Sequence, residues 1–201
     1  MLDCKPRPHY RPLSHAGVGI GQEPFDCFRC PKVSRTVLVL GTDHRYQTRD
    51  IAFTEAQHNA FARLVAETCH AHGVRAIAEE NNAQELAEAS VEESVPQRIA
   101  HTLGLTHQHC DPDRATRTKL GIRQENDIRA QAFLGGWSEP VVQEKLDASH
   151  LIRERYWLQQ IIALNVWPVL FVCGADHSTS LLSLLLEHDV QVELVASDWG
   201  T

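Results

Sequence analysis

Two histidines close the same four-residue pattern, Gly41-Thr-Asp-His44 and Gly174-Ala-Asp-His177, and an acidic pair, Glu79-Glu80, lies between them in the chain. Imidazole titrates near neutral pH and is the commonest protein metal ligand. Carboxylates beside it can orient water, carry charge or ligate. Two chemistries fit this set. Histidine and carboxylate ligands with an open position suit zinc, manganese or iron, and such a metal makes hydroxide available near neutral pH. In the metal-free alternative, one histidine is a general base on water, a glutamate orients or charges it, and the other histidine or an arginine steadies the developing oxyanion. Sequence leaves both open, with His44, Glu79, Glu80 and His177 as candidate catalytic residues and candidate metal ligands.

The bare G-x-x-H pattern is weak. With 11 glycines and 12 histidines in 201 residues, chance supplies roughly 0.7 matches. Context raises two of them. Each follows an apolar run of strand character, Thr36–Leu40 and Val169–Cys173, and each has aspartate before histidine. The glycine is expected to let the backbone turn out of the strand. A third match, Gly104-Leu-Thr-His107, follows a helical stretch and is set aside.

The elements that must position these residues alternate. Strands are expected at Thr36–Leu40, Val74–Ala78, Leu105–Cys110, Val169–Cys173 and Val190–Ala196. Helices are expected from a Thr54 cap to His72 with Gly73 as stop, over Ala83–Ser90, from Val95-Pro96 to Gly104, over Ile122–Leu134, Pro140–Leu164 and Ser178–His188. Strand–helix alternation predicts an α/β fold: a mostly parallel sheet of about five strands with helices on both faces, in one domain over 35–201. Residues 1–34, rich in proline and glycine, read as an N-terminal arm or loop.

In such sheets ligands bind outside the carboxyl ends of the strands. Those ends carry Asp43-His44-Arg45, Glu79-Glu80, His109 and Asp111, Asp176-His177 and Asp198. Successive strand residues face opposite sides, so only one of the two glutamates is expected to enter a shared cleft. Plainer roles exist: a histidine at a turn can bond a nearby carbonyl, and glutamates at a strand exit can simply meet solvent.

A helix holding Ile152-Arg-Glu-Arg-Tyr-Trp157 adds Arg153 as a further candidate catalytic residue, which shares a face with Trp157 and can grip a carboxylate or phosphate of the substrate bidentately. The alternative is a charged face with intrahelical pairs. Cys69-His70-Ala-His72 ends a helix, where cations suit the dipole. Cys27-Phe-Arg-Cys30 is half of a four-ligand zinc site, with Cys4, His9 and His15 as the nearest complements, or else a pair of thiols in a loop. Cys173 reads as a small core residue.

Composition narrows the classes. A net charge of −7 argues against binding nucleic acid through its phosphates. No apolar run reaches the roughly 18 residues of a membrane span. The first residues show no apolar signal region, so a cytoplasmic location is expected.

Two strand-borne G-x-x-H motifs with an acidic pair between them resemble the superfamily that joins TIKI proteases, TraB/PrgY proteins, erythromycin esterases and haem-binding ChaN-like proteins. Carried over residue by residue, the resemblance implicates His44, Glu79, Glu80 and His177. The Arg153-Glu154 helix resembles the arginine-bearing helix of erythromycin-esterase-like members. The resemblance implies an α/β domain with a polar pocket, whose members are metalloproteases, esterases or ligand binders.

These features together predict a hydrolase that activates water at the strand ends and acts on a small ester, lactone, amide or peptide. The rival is a non-catalytic binder of haem, a metal ion or a small ligand in the same pocket. Both require the first and fourth strands to deliver His44 and His177 into one cleft, beside an acidic side chain from the second.

Overall fold

Short apolar runs that end where polar residues begin build the sheet. The computed structural model describes residues 34–200. The strands are β1 (Thr36–Thr42), β2 (Ala76–Glu79), β3 (Thr106–His109), β4 (Val169–Gly174) and β5 (Gln191–Trp199). They form one five-stranded sheet in the order β3-β2-β4-β1-β5, every pairing parallel. The helices are α1 (His44–Gln47), α2 (Glu55–Ala71), α3 (Ala83–Glu88), α4 (Val95–Leu103), α5 (Arg114–Leu120), α6 (Glu125–Gly135), α7 (Glu139–Leu164) and α8 (Ser178–Glu187), with a 3-10 turn at Ala175–His177. This is the expected α/β fold. The expected arm, and with it Cys4, His9, His15, Cys27 and Cys30, lies outside the described residues apart from Ser34.

Period-two alternation splits the buried strand residues between two cores. Val37, Val39, Ala76, Ala78, Val169, Phe171 and Cys173 pack against Trp157, Leu158 and Ile161 of α7 and Leu181 and Leu185 of α8. Leu38, Leu40, Ile77, Leu170 and Val172 pack against Phe61 and Val65 of α2 and Ala100 of α4. Because both faces are covered, the central strands read as continuous apolar runs.

Helix ends follow local signals. Thr54 accepts from the Gln57 backbone N–H in a capping box, and Ser94 caps α4 ahead of Pro96. Gly104 ends α4 in the left-handed region at φ 67°. Helix α5 was not expected: its seven residues carry no apolar stripe. Its cap is nevertheless legible, since Asp113 accepts from Thr116 N at 2.7 Å and Gly121 stops it at φ 72°. The expected helix over Ile122–Leu134 begins instead at Glu125.

For function the central fact of topology is that β4 lies between β1 and β2. Thr42 pairs with Gly174, and Glu79 with Val172. The exits of the three strands that carry the candidate residues are therefore adjacent.

Candidate functional site

Glu80 follows the last residue of β2 and points to the α7 side of the sheet. Its side chain is fully buried, and Oε2 accepts the backbone N–H of Gly174 at 2.7 Å. Oε1 faces His44 Nε2 at 3.5 Å and His177 Nε2 at 3.6 Å. The Arg153 guanidinium approaches the same oxygen at 2.9 Å, without the alignment of a hydrogen bond, and Oε1 has no hydrogen-bond partner among the described residues. Burial disfavours the Glu80 charge, but Arg153, His44 and His177 outweigh it and hold the carboxyl below its ordinary range.

His177 comes from the 3-10 turn after β4, and its Nδ1 lies 2.8 Å from Glu154 Oε1 on α7. An Nδ1–H donated to Glu154 directs Nε2 toward Glu80. Ser180 Oγ donates to the same Glu154 oxygen at 2.6 Å. The Trp157 and His150 rings pack against His177 at centroid distances of 4.8 and 4.4 Å. Half-buried His150 has its pKa lowered by desolvation and by His177.

Arg153 is braced from below. Its Nε donates to Asp111 Oδ1 at 2.5 Å, and Trp157 Nε1 donates to the same oxygen at 3.0 Å. Arg117 pairs with Asp111 Oδ2. Arg153 thus spans two carboxylates of the protein itself, Glu80 and Asp111, rather than pairing along its own helix or keeping its guanidinium for a substrate anion as expected.

The two motif glycines do different work from that expected. Neither has positive φ, so neither is needed for a left-handed turn. Both permit close approach. A Cβ on Gly174 would lie 2.5 Å from His44 Nε2, and one on Gly41 would lie 2.1 Å from the carbonyl oxygen of Ser197 in β5. The motif aspartates also differ. Asp43 caps α1 and holds Arg45 in a fork, whereas Asp176 is exposed.

His44, Glu80, His150, Arg153 and His177 line one cavity of about 890 Å³ at the strand ends, within the size range of small-molecule sites. Arg123 also lines it, with a buried Nη2 that has no hydrogen-bond partner among the described residues.

Glu79 points the other way. Its Oε1 accepts from Ser94 Oγ at 2.5 Å and contacts His107 Nε2 at 2.8 Å and His109 Nε2 at 3.3 Å. Burial disfavours the Glu79 charge, yet the nearby His107 and His109 rings and the Ser94 hydroxyl lower its pKa overall. A His/Glu cluster thus sits at the C-terminal ends of β2 and β3, with ligand atoms all within 4.8 Å of one another, able to coordinate a divalent metal.

Of the residues picked out in the sequence, the fold brings His44, Glu80, His177 and Arg153 together and leaves Glu79 on the opposite face. The four candidate ligands His44, Glu79, Glu80 and His177 therefore do not surround one point. The three that do converge share it with a guanidinium 2.9 Å from the carboxylate, a poor setting for a second cation. His107, set aside with its G-x-x-H match, is the closer histidine partner of Glu79. The overlooked signal was His107-Gln-His109, whose spacing of two puts both rings on one face of a strand. His150 carried no signal in the sequence.

Among the described residues, no helix is long and apolar enough to cross a membrane. No family model matches the chain, and comparison with curated proteins and with solved structures finds no significant match.

Proposed function

We propose that the protein is a hydrolase that activates water at the floor of this cavity and acts on a small ester, lactone, amide or peptide. The observation that carries the proposal is the meeting of His44 Nε2 and His177 Nε2 at one buried, unbonded carboxylate oxygen, Glu80 Oε1. The motif resemblance to the TIKI, TraB and erythromycin-esterase superfamily points the same way.

The roles follow from the hydrogen bonds. Glu154 holds the His177 proton on Nδ1, so neutral His177 presents a lone pair at Nε2. Two acceptors, Nε2 and Glu80 Oε1, then face each other, and a water can donate one hydrogen to each. His177 takes the water proton as the oxygen attacks the carbonyl carbon, and Glu80 and Glu154 stabilise the imidazolium that forms. His177 then returns the proton to the leaving oxygen or nitrogen. The Gln47 amide lies 3.4 Å from His44 Nδ1. With that amide donating, His44 carries its proton on Nε2 and offers it to the developing oxyanion. Arg153 is a positioning residue: it keeps Glu80 ionised and fixed. No step passes through a metal.

The test is a panel of esters, lactones, amides and peptides assayed with wild type, H44A and H177A, with and without chelator. Turnover falls about 10²-fold or more in H177A and survives chelation. Turnover equal in all three proteins rules the proposal out. Saturable ligand binding without turnover by wild type marks the protein instead as a small-ligand binder.

A further inference from the structure

The sequence of β3 barely supports a strand. Thr106-His-Gln-His109 has no large apolar side chain, spans four residues and lies at the sheet edge, paired with β2 alone. Its register sets His109 opposite Glu79 and His107 opposite Ile77. Both imidazoles therefore share the face onto which Glu79 projects, and both Nε2 atoms approach Glu79 Oε1.

Two buried atoms in this group have no hydrogen-bond partner among the described residues: Glu79 Oε2 and His109 Nε2. A carboxylate oxygen sealed from water without a donor is costly, and a bound cation removes the cost. Ser94 Oγ already occupies Oε1, holding the carboxylate so that Oε2 is its spare ligand atom. Two imidazole nitrogens and one carboxylate oxygen are a ligand set of the zinc class. Each neutral ring ligates through Nε2 once its proton sits on Nδ1.

We propose that Glu79, His107 and His109 bind a divalent ion of the zinc class, which staples the edge strand β3 to the end of β2. None of the three residues lines the 890 Å³ cavity, and Glu79 and Glu80 project from opposite faces of the sheet. The site is therefore separate from the proposed hydrolytic centre and does not depend on it.

The experiment uses the full chain as C27S/C30S, which removes the paired thiols of the N-terminal segment as ligands. Metal is stripped with chelator, and Zn²⁺ or Co²⁺ is added back under equilibrium dialysis with elemental analysis. About one Zn²⁺ binds per chain, and Tm rises by about 5 °C or more at a hundredfold excess over Kd. The Co²⁺ complex shows d–d bands without thiolate charge transfer. H107Q/H109Q loses tenfold or more in affinity, and H44Q/H177Q keeps full stoichiometry. If H107Q/H109Q does not fold, H109Q alone is titrated, with the same loss expected. Substoichiometric binding by the parent, unchanged binding in the His107/His109 variants, or loss in H44Q/H177Q overturns the proposal.

Discussion

Nδ1 of His177 lies 2.8 Å from Glu154 Oε1, with the two side chains 6% and 1% exposed. Desolvation lowers the pKa of His177, but the Glu154 hydrogen bond and the Glu80 charge prevail. The net shift is upward from the ordinary 6.5. Glu154 thus sets both the tautomer of this ring and its basicity.

A base that must be neutral to accept a proton gives a rate that rises with pH. In the proposed hydrolase kcat/KM climbs through an inflection above 6.5. In E154Q the inflection moves to lower pH and kcat/KM at its plateau falls about 10²-fold, because the tautomer is no longer enforced. A pH–rate profile of both proteins checks this. An inflection at the same pH in both would sink the role given to Glu154.

The same shift predicts the sign of a stability effect. A histidine with raised folded pKa contributes stability that is fully present below about pH 6.5 and is lost as pH rises through the folded value. Urea unfolding of wild type and H177Q across that interval should show the difference between them shrinking as pH increases.

Arg153 neutralises two carboxylates that are themselves fully buried, Glu80 and Asp111. Arg153→Met leaves buried Glu80 without a guanidinium, while Asp111 keeps Arg117 and Trp157, and the expected loss at pH 7 is about 3–5 kcal/mol. Glu80 in wild type has a lowered pKa, so its stabilisation is present above about pH 4.5 and is lost as pH falls through the folded value. In the variant Glu80 protonates more readily, which relieves the penalty. The gap between the two proteins should therefore narrow as the solution is acidified, as read by denaturant titration.

The two motif glycines should separate stability from turnover. Gly41→Ala presses on the Ser197 backbone carbonyl, which cannot move without shifting β5, and should cost about 1–3 kcal/mol. Gly174→Ala presses on the far end of the His44 side chain, which is 53% exposed and free to swing away. Thermal unfolding of Gly174→Ala should stay near wild type while turnover drops about 10²-fold through displacement of the ring.

Much of the fold is legible in local chemistry. The apolar runs ending in Gly-x-Asp-His locate β1 and β4, Thr54 and Gly104 mark helix ends, and period-two alternation requires Glu79 and Glu80 to part company. Dihedral preferences and caps act within a few residues, so they are written in the chain itself. Local chemistry does not reveal that β4 inserts between β1 and β2, that Asp111 meets an arginine 42 residues away, or that His107 turns toward Glu79. Nor does it reveal that the motif glycines are there for the room they leave rather than the turn they make. These relationships depend on which faces bury one another, a balance summed over the whole core, so they exist only once the sheet and its two layers of helices have closed.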